Sequence, residues 1–163
     1  MNPTPAALAD ITPGALVVLV GPAGSGKSTL LRAANIPAHQ IVSLDHLRAV
    51  VSEPGDQDAT ADAVLLQDQI LIARLRRGVT TFADNTSLVA DHRIALAKLA
   101  ADLGRPSIAV LVDTPLDLCI ARNARRPPCA RVPEDVLRNQ HGQLAAARAA
   151  LPTEGFTEIR HHA

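Results

Sequence analysis

Residues 21–28 read Gly-Pro-Ala-Gly-Ser-Gly-Lys-Ser, a complete phosphate-binding loop, and no other stretch narrows the fold so far. The run before it, Ala15-Leu16-Val17-Val18-Leu19-Val20, is apolar on both faces and too short to cross a bilayer, which predicts a buried parallel strand. The run after it, Thr29 to Ala34, is good helix material. Strand, glycine loop and helix in that order are the context the loop needs. Gly21, Gly24 and Gly26 let the backbone turn so that successive amides of the loop, from Ala23 and Ser25 through to Thr29, point inward and cradle phosphate oxygens. The positive end of the following helix adds to that field. Lys27 is placed to reach β- and γ-phosphates, and the Ser28 hydroxyl to ligate Mg²⁺. The expected ligands are a nucleoside triphosphate, ATP, and Mg²⁺.

A chain of 163 residues suits one domain, 1–163, with a real core. Phe82 and Phe156 are the only aromatic residues, so that core must be aliphatic. The formal net charge is zero, which argues against strong non-specific binding of nucleic acid, and the lack of aromatics removes the usual base-stacking platforms. Cys119 and Cys129 match no zinc spacing and read as thiols of a reducing compartment. Met1 to Asp10 has no basic start and contains Pro3 and Pro5, so no secretory leader is expected; the expected location is the cytoplasm, without membrane contact.

Strand and helix signals alternate along the rest of the chain. Gln40–Leu44, Val79–Asp84 and Ile108–Val112 read as strands, and Phe156–Arg160 as a fifth. Helices are expected at 45–51, at 60–77 with Thr60 as N-cap and Gly78 as left-handed stop, at 90–103 ending on Gly104, and at 116–125. Ser52 to Asp58 reads as a polar loop, Pro127-Pro128 as a break, and Pro133 as the start of one long helix through Leu151. The fold class is therefore α/β: a three-layer sandwich of the P-loop NTPase kind, with a mostly parallel sheet of about five strands. Ligands in such sheets sit at the carboxyl ends of the strands, where this sequence places Asp45, Asp84-Asn85 and Asp113. Asp113 reads as a cap for the next helix, and His161-His162 as a surface tail.

Two further features bear on chemistry. Asp45 and Arg48 lie three apart on one face of a helix start. A kinase acting on a hydroxyl needs a carboxylate there to take or orient the proton, whereas a purely structural Asp45 would cap the helix and leave Arg48 solvated. Arg122, Arg125, Arg126 and Arg131 fall within ten residues, with Arg122 and Arg126 on one helical face. From Leu116 to Arg148 six arginines face three acids, net +3, while Gln40 to Ile70 carries six acids against Arg48, net −5. The arginines form either a solvated face or a helical lid, approximately residues 122–134, that closes over ATP and steadies the transferring phosphoryl group.

Together these residues resemble the polynucleotide 5′-hydroxyl kinase branch of the P-loop phosphotransferases, in particular the kinase module of bacterial RNA-repair enzymes. The resemblance rests on residues 21–28, on Ser43-Leu44-Asp45-His46-Leu47-Arg48, on Phe82-Ala83-Asp84-Asn85-Thr86, on Arg122-Asn123-Ala124-Arg125-Arg126, and on Arg131-Val132-Pro133 with Val136-Leu137-Arg138. It implies Asp45 as general base, Arg48 on an acceptor phosphate, Arg122 and Arg126 on the ATP phosphates, and Arg131 at the lid's second arm. It implies an acceptor contact from Asn85 or Thr86; Asp84 could hold a Mg²⁺-bound water. The implied activity is ATP-dependent transfer of the γ-phosphoryl group to a hydroxyl, with a nucleic-acid 5′ end as acceptor. A small-molecule hydroxyl (metabolite, nucleoside or antibiotic) suits the acidic stretch Glu53–Asp68 better, and an ATP-binding regulatory module would need neither Asp45 with Arg48 nor the lid.

Overall fold

The computed structural model describes residues 4–53 and 55–163. Met1–Pro3 and Pro54 lie outside the described residues, and with them Pro3 of the opening segment and Pro54 of the polar loop. The five strands are β1 (Leu16–Val20), β2 (Ile41–Val42), β3 (Thr81–Ala83), β4 (Ser107–Val112) and β5 (Glu158–His162). They form one sheet in the order β2-β3-β1-β4-β5, and every pairing is parallel.

Alternation along the central strands builds the two apolar layers. Leu16, Val18 and Val20 of β1 face one side, with Ala109 and Leu111 of β4. They pack against α3 (Thr60–Arg76), α4 (Ala90–Asp102) and α7 (Leu144–Ala150), through residues such as Leu71, Leu96 and Leu144. Val17 and Leu19 face the other side, against Leu30 and Leu31 of α1 (Lys27–Ala33) and a 3₁₀ turn at Ala6–Leu8. All five residues of β1 are fully buried. Each such aliphatic side chain contributes about 1.5–3 kcal/mol by leaving water. A smaller apolar cluster of Ala23, Cys119 and Leu137 joins the loop after β1 to α5 (Leu116–Ala124) and α6 (Glu134–Gly142).

Because β1 lies centrally, with β3 on one side and β4 on the other, the chain reverses its winding direction beside the end of β1. This is the crevice where open α/β sheets bind ligands. The loop at residues 21–26 leaves β1 there, Asp84 follows β3, and α2 (Leu44–Val51) begins directly after β2.

Several local expectations are corrected. Thr60 is the first helical residue, not the cap: Ala59 takes that position, and Thr60 Oγ1 donates instead to Gln57 O at 2.6 Å. The last long helix is two, α6 and α7, broken at Gln143, with Pro133 in the N-cap position. Asp113 caps nothing; its carboxylate pairs with Arg148. His161 and His162 are not a loose tail but residues of β5, paired with Leu111 and Val112. Gly78 and Gly104 do adopt left-handed conformations at helix ends. Among the described residues no helix is long and apolar enough to cross a membrane.

Candidate active site

The loop after β1 is held in shape by its neighbours. Gly24 has φ +75°, and a Cβ there would lie 2.5 Å from the Cys119 carbonyl oxygen of α5, so only glycine fits. Gly26, at φ +100°, is the N-cap of α1. Gly21 N donates to Thr86 O at 2.9 Å, fixing the loop's start to the segment after β3. Thr114 Oγ1, just past β4, donates to Ser25 O at 2.7 Å, and Gln140 Oε1 of α6 accepts from Ala23 N at 2.9 Å.

Lys27 lies inside this arch. Its ammonium donates to Gly21 O at 2.9 Å and to Pro22 O at 2.8 Å. Burial pushes its pKa down from 10.5 to about 8; Asp84 and Asp45 pull it back up, and Arg126 pushes it further down. Asp84 after β3, Asp45 in the first turn of α2 and Arg126 beyond α5 thus all lie within electrostatic reach of one ammonium. Asp84 Oδ2 also accepts a 2.6 Å hydrogen bond from Ser28 Oγ.

A cavity of about 370 Å³ opens here, lined by Gly24, Gly26, Lys27, Ser28 and Thr29 and by Arg32, Arg122 and Arg126. Arg122 NH1 donates to Ser25 O at 3.1 Å, and Arg131 Nε donates to Arg126 O at 2.7 Å, bracing the segment that carries Arg126. α5 ends at Ala124, so Arg126 lies beyond the helix yet lines the same cavity as Arg122. Among the described residues none of Arg32, Arg122 and Arg126 pairs with a carboxylate. Three arginines that pair with no carboxylate, around glycine-rich backbone, suit an anion.

Asp45 and Arg48 form an ion pair within α2. Asp45 is 82% exposed and Arg48 12%, so the carboxylate is open to solvent while the guanidinium is largely enclosed. Arg48 Nε is buried with no hydrogen-bond partner among the described residues. Asn85 is committed on both ends of its amide: Oδ1 accepts from Leu44 N at 3.0 Å, and Nδ2 donates to Gln67 Oε1 at 2.6 Å. Its side chain thereby positions the start of α2, and the backbone carbonyl of Thr86 holds Gly21.

Ser28 and Asp84 offer a hydroxyl and a carboxylate side by side, hard oxygen donors of the type Mg²⁺ takes alongside substrate phosphates and water. Among the described residues no three His, Cys, Asp or Glu side chains gather as a metal site. An ion at Ser28 and Asp84 would thus draw its other ligands from phosphate and water.

Sequence patterns did not single out Arg32, Gln140, Gln67 or Thr114. Only Arg32 carried a usable signal, lying one helical turn past Thr29 on the helix that opens at the loop.

Over residues 16–151 the chain matches the AAA domain family. It belongs to that family. This AAA domain has the fold of P-loop kinases, a nucleotide-binding fold. It superposes with a TM-score of 0.67 and 19% identity on a chain of a Pnkp1/Rnl/Hen1 RNA repair complex, covering 89% of this chain and 48% of that one. A putative kinase from Chloroflexus aurantiacus gives a TM-score of 0.59 at 18% identity, covering 93% and 89%. Shikimate kinase from Acinetobacter baumannii gives 0.51 at 17%, covering 98% and 88%. The L-cystine transport system ATP-binding protein TcyN of Escherichia coli K12 is 33% identical over 90 residues. That match takes in 55% of this AAA domain and only 33% of the transport protein's length.

Proposed function

We propose that this AAA domain is an ATP-dependent phosphotransferase that moves the γ-phosphoryl group to a hydroxyl, with a nucleic-acid 5′-hydroxyl end as the acceptor. The observation that carries the proposal is the Asp45–Arg48 pair, which opens α2 within electrostatic reach of Lys27. A nucleotide-binding module without transfer chemistry has no use for an exposed carboxylate beside its phosphate lysine.

In this scheme the loop amides and Lys27 bind the donor phosphates, and Asp45 accepts the proton of the attacking hydroxyl. Arg48 offers its guanidinium to a phosphate of the acceptor, holding the hydroxyl in line. Arg122 and Arg126 stabilise negative charge on the group in flight, and Arg131 braces Arg126. Mg²⁺ at Ser28 and Asp84 would neutralise charge on the β- and γ-oxygens. Asn85 and Gln67 keep α2, and so Asp45, at a fixed height beside the loop.

One observation favours a small-molecule acceptor as the second reading. Backbone at Gly55, in the acidic loop, approaches the lid so closely that a Cβ there would lie 2.6 Å from Cys129 O. A loop carrying Glu53, Asp56 and Asp58 and touching the lid is a poor neighbour for a long polyanion.

Incubation with γ-labelled ATP and Mg²⁺, offering 5′-hydroxyl DNA, 5′-hydroxyl RNA and a panel of nucleosides and metabolites, tests both. Label on a nucleic-acid end that disappears with Asp45→Ala supports the first reading. Label only on a small molecule supports the second. ATP bound with no transfer to any acceptor contradicts both.

A further inference from the structure

Asn123 lies in the last turn of α5, 8% exposed and on the same helical face as Cys119. A buried asparagine near a helix end has an ordinary explanation, since its amide can bond to the backbone close by. The carbonyls there are served by backbone instead: Arg125 N donates to Arg122 O at 3.3 Å, and Arg126 N to Asn123 O at 3.1 Å. The Asn123 amide reaches nine positions along the chain. Its Nδ2 donates to Val132 O at 2.7 Å, and its Oδ1 accepts from Val132 N at 3.1 Å. Both halves of one side chain are thus spent on both backbone groups of one residue, as a neighbouring strand would spend its own.

This clasp closes a loop over residues 124–131, and the loop is stiff. Pro127 and Pro128 have fixed φ angles, and Ala130 N donates to Pro127 O at 2.9 Å to close a 3₁₀ turn at Pro128–Ala130. Arg126 is held on both sides: its N donates to Asn123 O, and its O accepts from Arg131 Nε at 2.7 Å. Its side chain lines the donor cavity within electrostatic reach of Lys27. The base of the clasp rests on the apolar cluster beside the phosphate loop. Val132 packs against the cluster of Ala23, Cys119 and Leu137, and it is the Cys119 carbonyl that leaves no room for a side chain at Gly24. Arginine loop and phosphate loop therefore share one support.

We infer that Asn123 is a positioning residue, which presets the loop at residues 124–131 so that Arg126 faces the transferring phosphoryl group before nucleotide arrives. The inference rests on the proposed transfer and on the part Arg126 takes in it. A cation already in place needs no reorganisation during the reaction, whereas a misplacement of about 1 Å can cost on the order of 10²-fold in rate. Asn123 thereby serves the transfer step and adds little to ATP affinity, which comes from the loop amides and Lys27.

A double-mutant cycle separates this from a merely structural role. Single-turnover transfer, from γ-labelled ATP to the acceptor that takes label in the panel above, and calorimetric binding of ATP with Mg²⁺ are measured in four proteins. These are the unmodified chain, Asn123→Ala, Arg126→Ala and the variant carrying both. Asn123→Ala should slow transfer by roughly 10- to 100-fold while ATP affinity changes by less than about threefold. Because Asn123 acts through Arg126, the double variant should be hardly slower than Arg126→Ala alone. Trypsin, which requires no acceptor, should cut after Arg131 severalfold faster in Asn123→Ala. Thermal melts establish that each variant folds; if Asn123→Ala does not, Asn123→Asp, of the same shape but without the donor to Val132 O, takes its place in the cycle. Unchanged transfer in Asn123→Ala, losses that multiply in the double variant, an equal loss of ATP binding, or unchanged tryptic cleavage would overturn the inference, with Arg126→Ala still slow and the proposed function standing. Transfer by Arg126→Ala at the unmodified rate, or no transfer by the unmodified chain to any acceptor, would overturn the inference together with the part of the proposed function beneath it.

Discussion

Ser28 Oγ and Asp84 Oδ2 are joined by a 2.6 Å hydrogen bond across 56 positions of sequence, linking the first turn of α1 to the end of β3. If this pair holds the metal of the reaction, Asp84→Asn and Ser28→Ala raise the Mg²⁺ concentration for half-maximal turnover by about tenfold or more, as losses around metal sites do. Measuring turnover against Mg²⁺ for the three proteins checks this, and superimposable Mg²⁺ curves would exclude the pair as the metal's protein ligands.

Lys27 gives the site a pH signature. Its pKa in the folded protein lies near 8, against 10.5 ordinarily, chiefly through burial. ATP affinity should fall between pH 7 and pH 9 as the ammonium loses its proton, and Lys27→Met should be both weak and flat across that range. The free protein's stability should move the other way. Between about pH 8 and 10.5 the unfolded chain still binds the Lys27 proton that the folded chain has released, so stability rises with pH across that window. Lys27→Met removes that component, which denaturant unfolding at pH 7.5 and 9.5 measures.

Asn85 spends both halves of its amide on Leu44 N and Gln67. Asn85→Ala is expected to cost about 1–3 kcal/mol of folding stability by leaving partly buried groups unpaired. With α2 loosened, KM for the hydroxyl acceptor should rise more than KM for ATP. An equal rise in both would mean that Asn85 supports the donor loop instead.

Arg93, 1% exposed, pairs with Glu154 through NH2 and Nε at 2.5 and 2.7 Å and also donates to Ser87 O and Leu88 O. It thus anchors the segment that follows Asp84. Arg93→Met strands a buried carboxylate and should destabilise the fold by about 3–5 kcal/mol. Glu154→Gln keeps the carbonyl contacts of Arg93 and should cost less. Thermal melts of the two variants rank them.

The phosphate loop and its place in the fold were legible in the sequence because glycine geometry and the apolar strand before it are local properties. Residues 21–28 and the strands around them could be placed with little tertiary information. The partners that hold the loop come from far along the chain, and no local pattern marks them. Gln140 reaches Ala23 across 117 positions and Thr114 reaches Ser25 across 89. Asn85 carried the right kind of signal, a polar residue at a strand end, but its bonds to Leu44 N and Gln67, which tie β3 to α2 and α3, are tertiary contacts that no local pattern marks. His161 and His162 looked like a tail because their polarity hides an edge strand, which is only partly buried and lacks an apolar run. Thr60 failed as a cap because Ala59 already turns the chain into α3.

In the proposed transferase Asp45 serves transfer and Lys27 serves the donor. ATP binding and single-turnover transfer of label to the identified acceptor, measured side by side in Asp45→Asn and Lys27→Ala, test it most directly. Asp45→Asn should bind ATP nearly as the unmodified chain does while transfer falls on the order of 10²–10⁴-fold, as for loss of a general base. Lys27→Ala should lose binding as well. Transfer by Asp45→Asn at the unmodified rate, or equal loss of ATP binding in both variants, would contradict it.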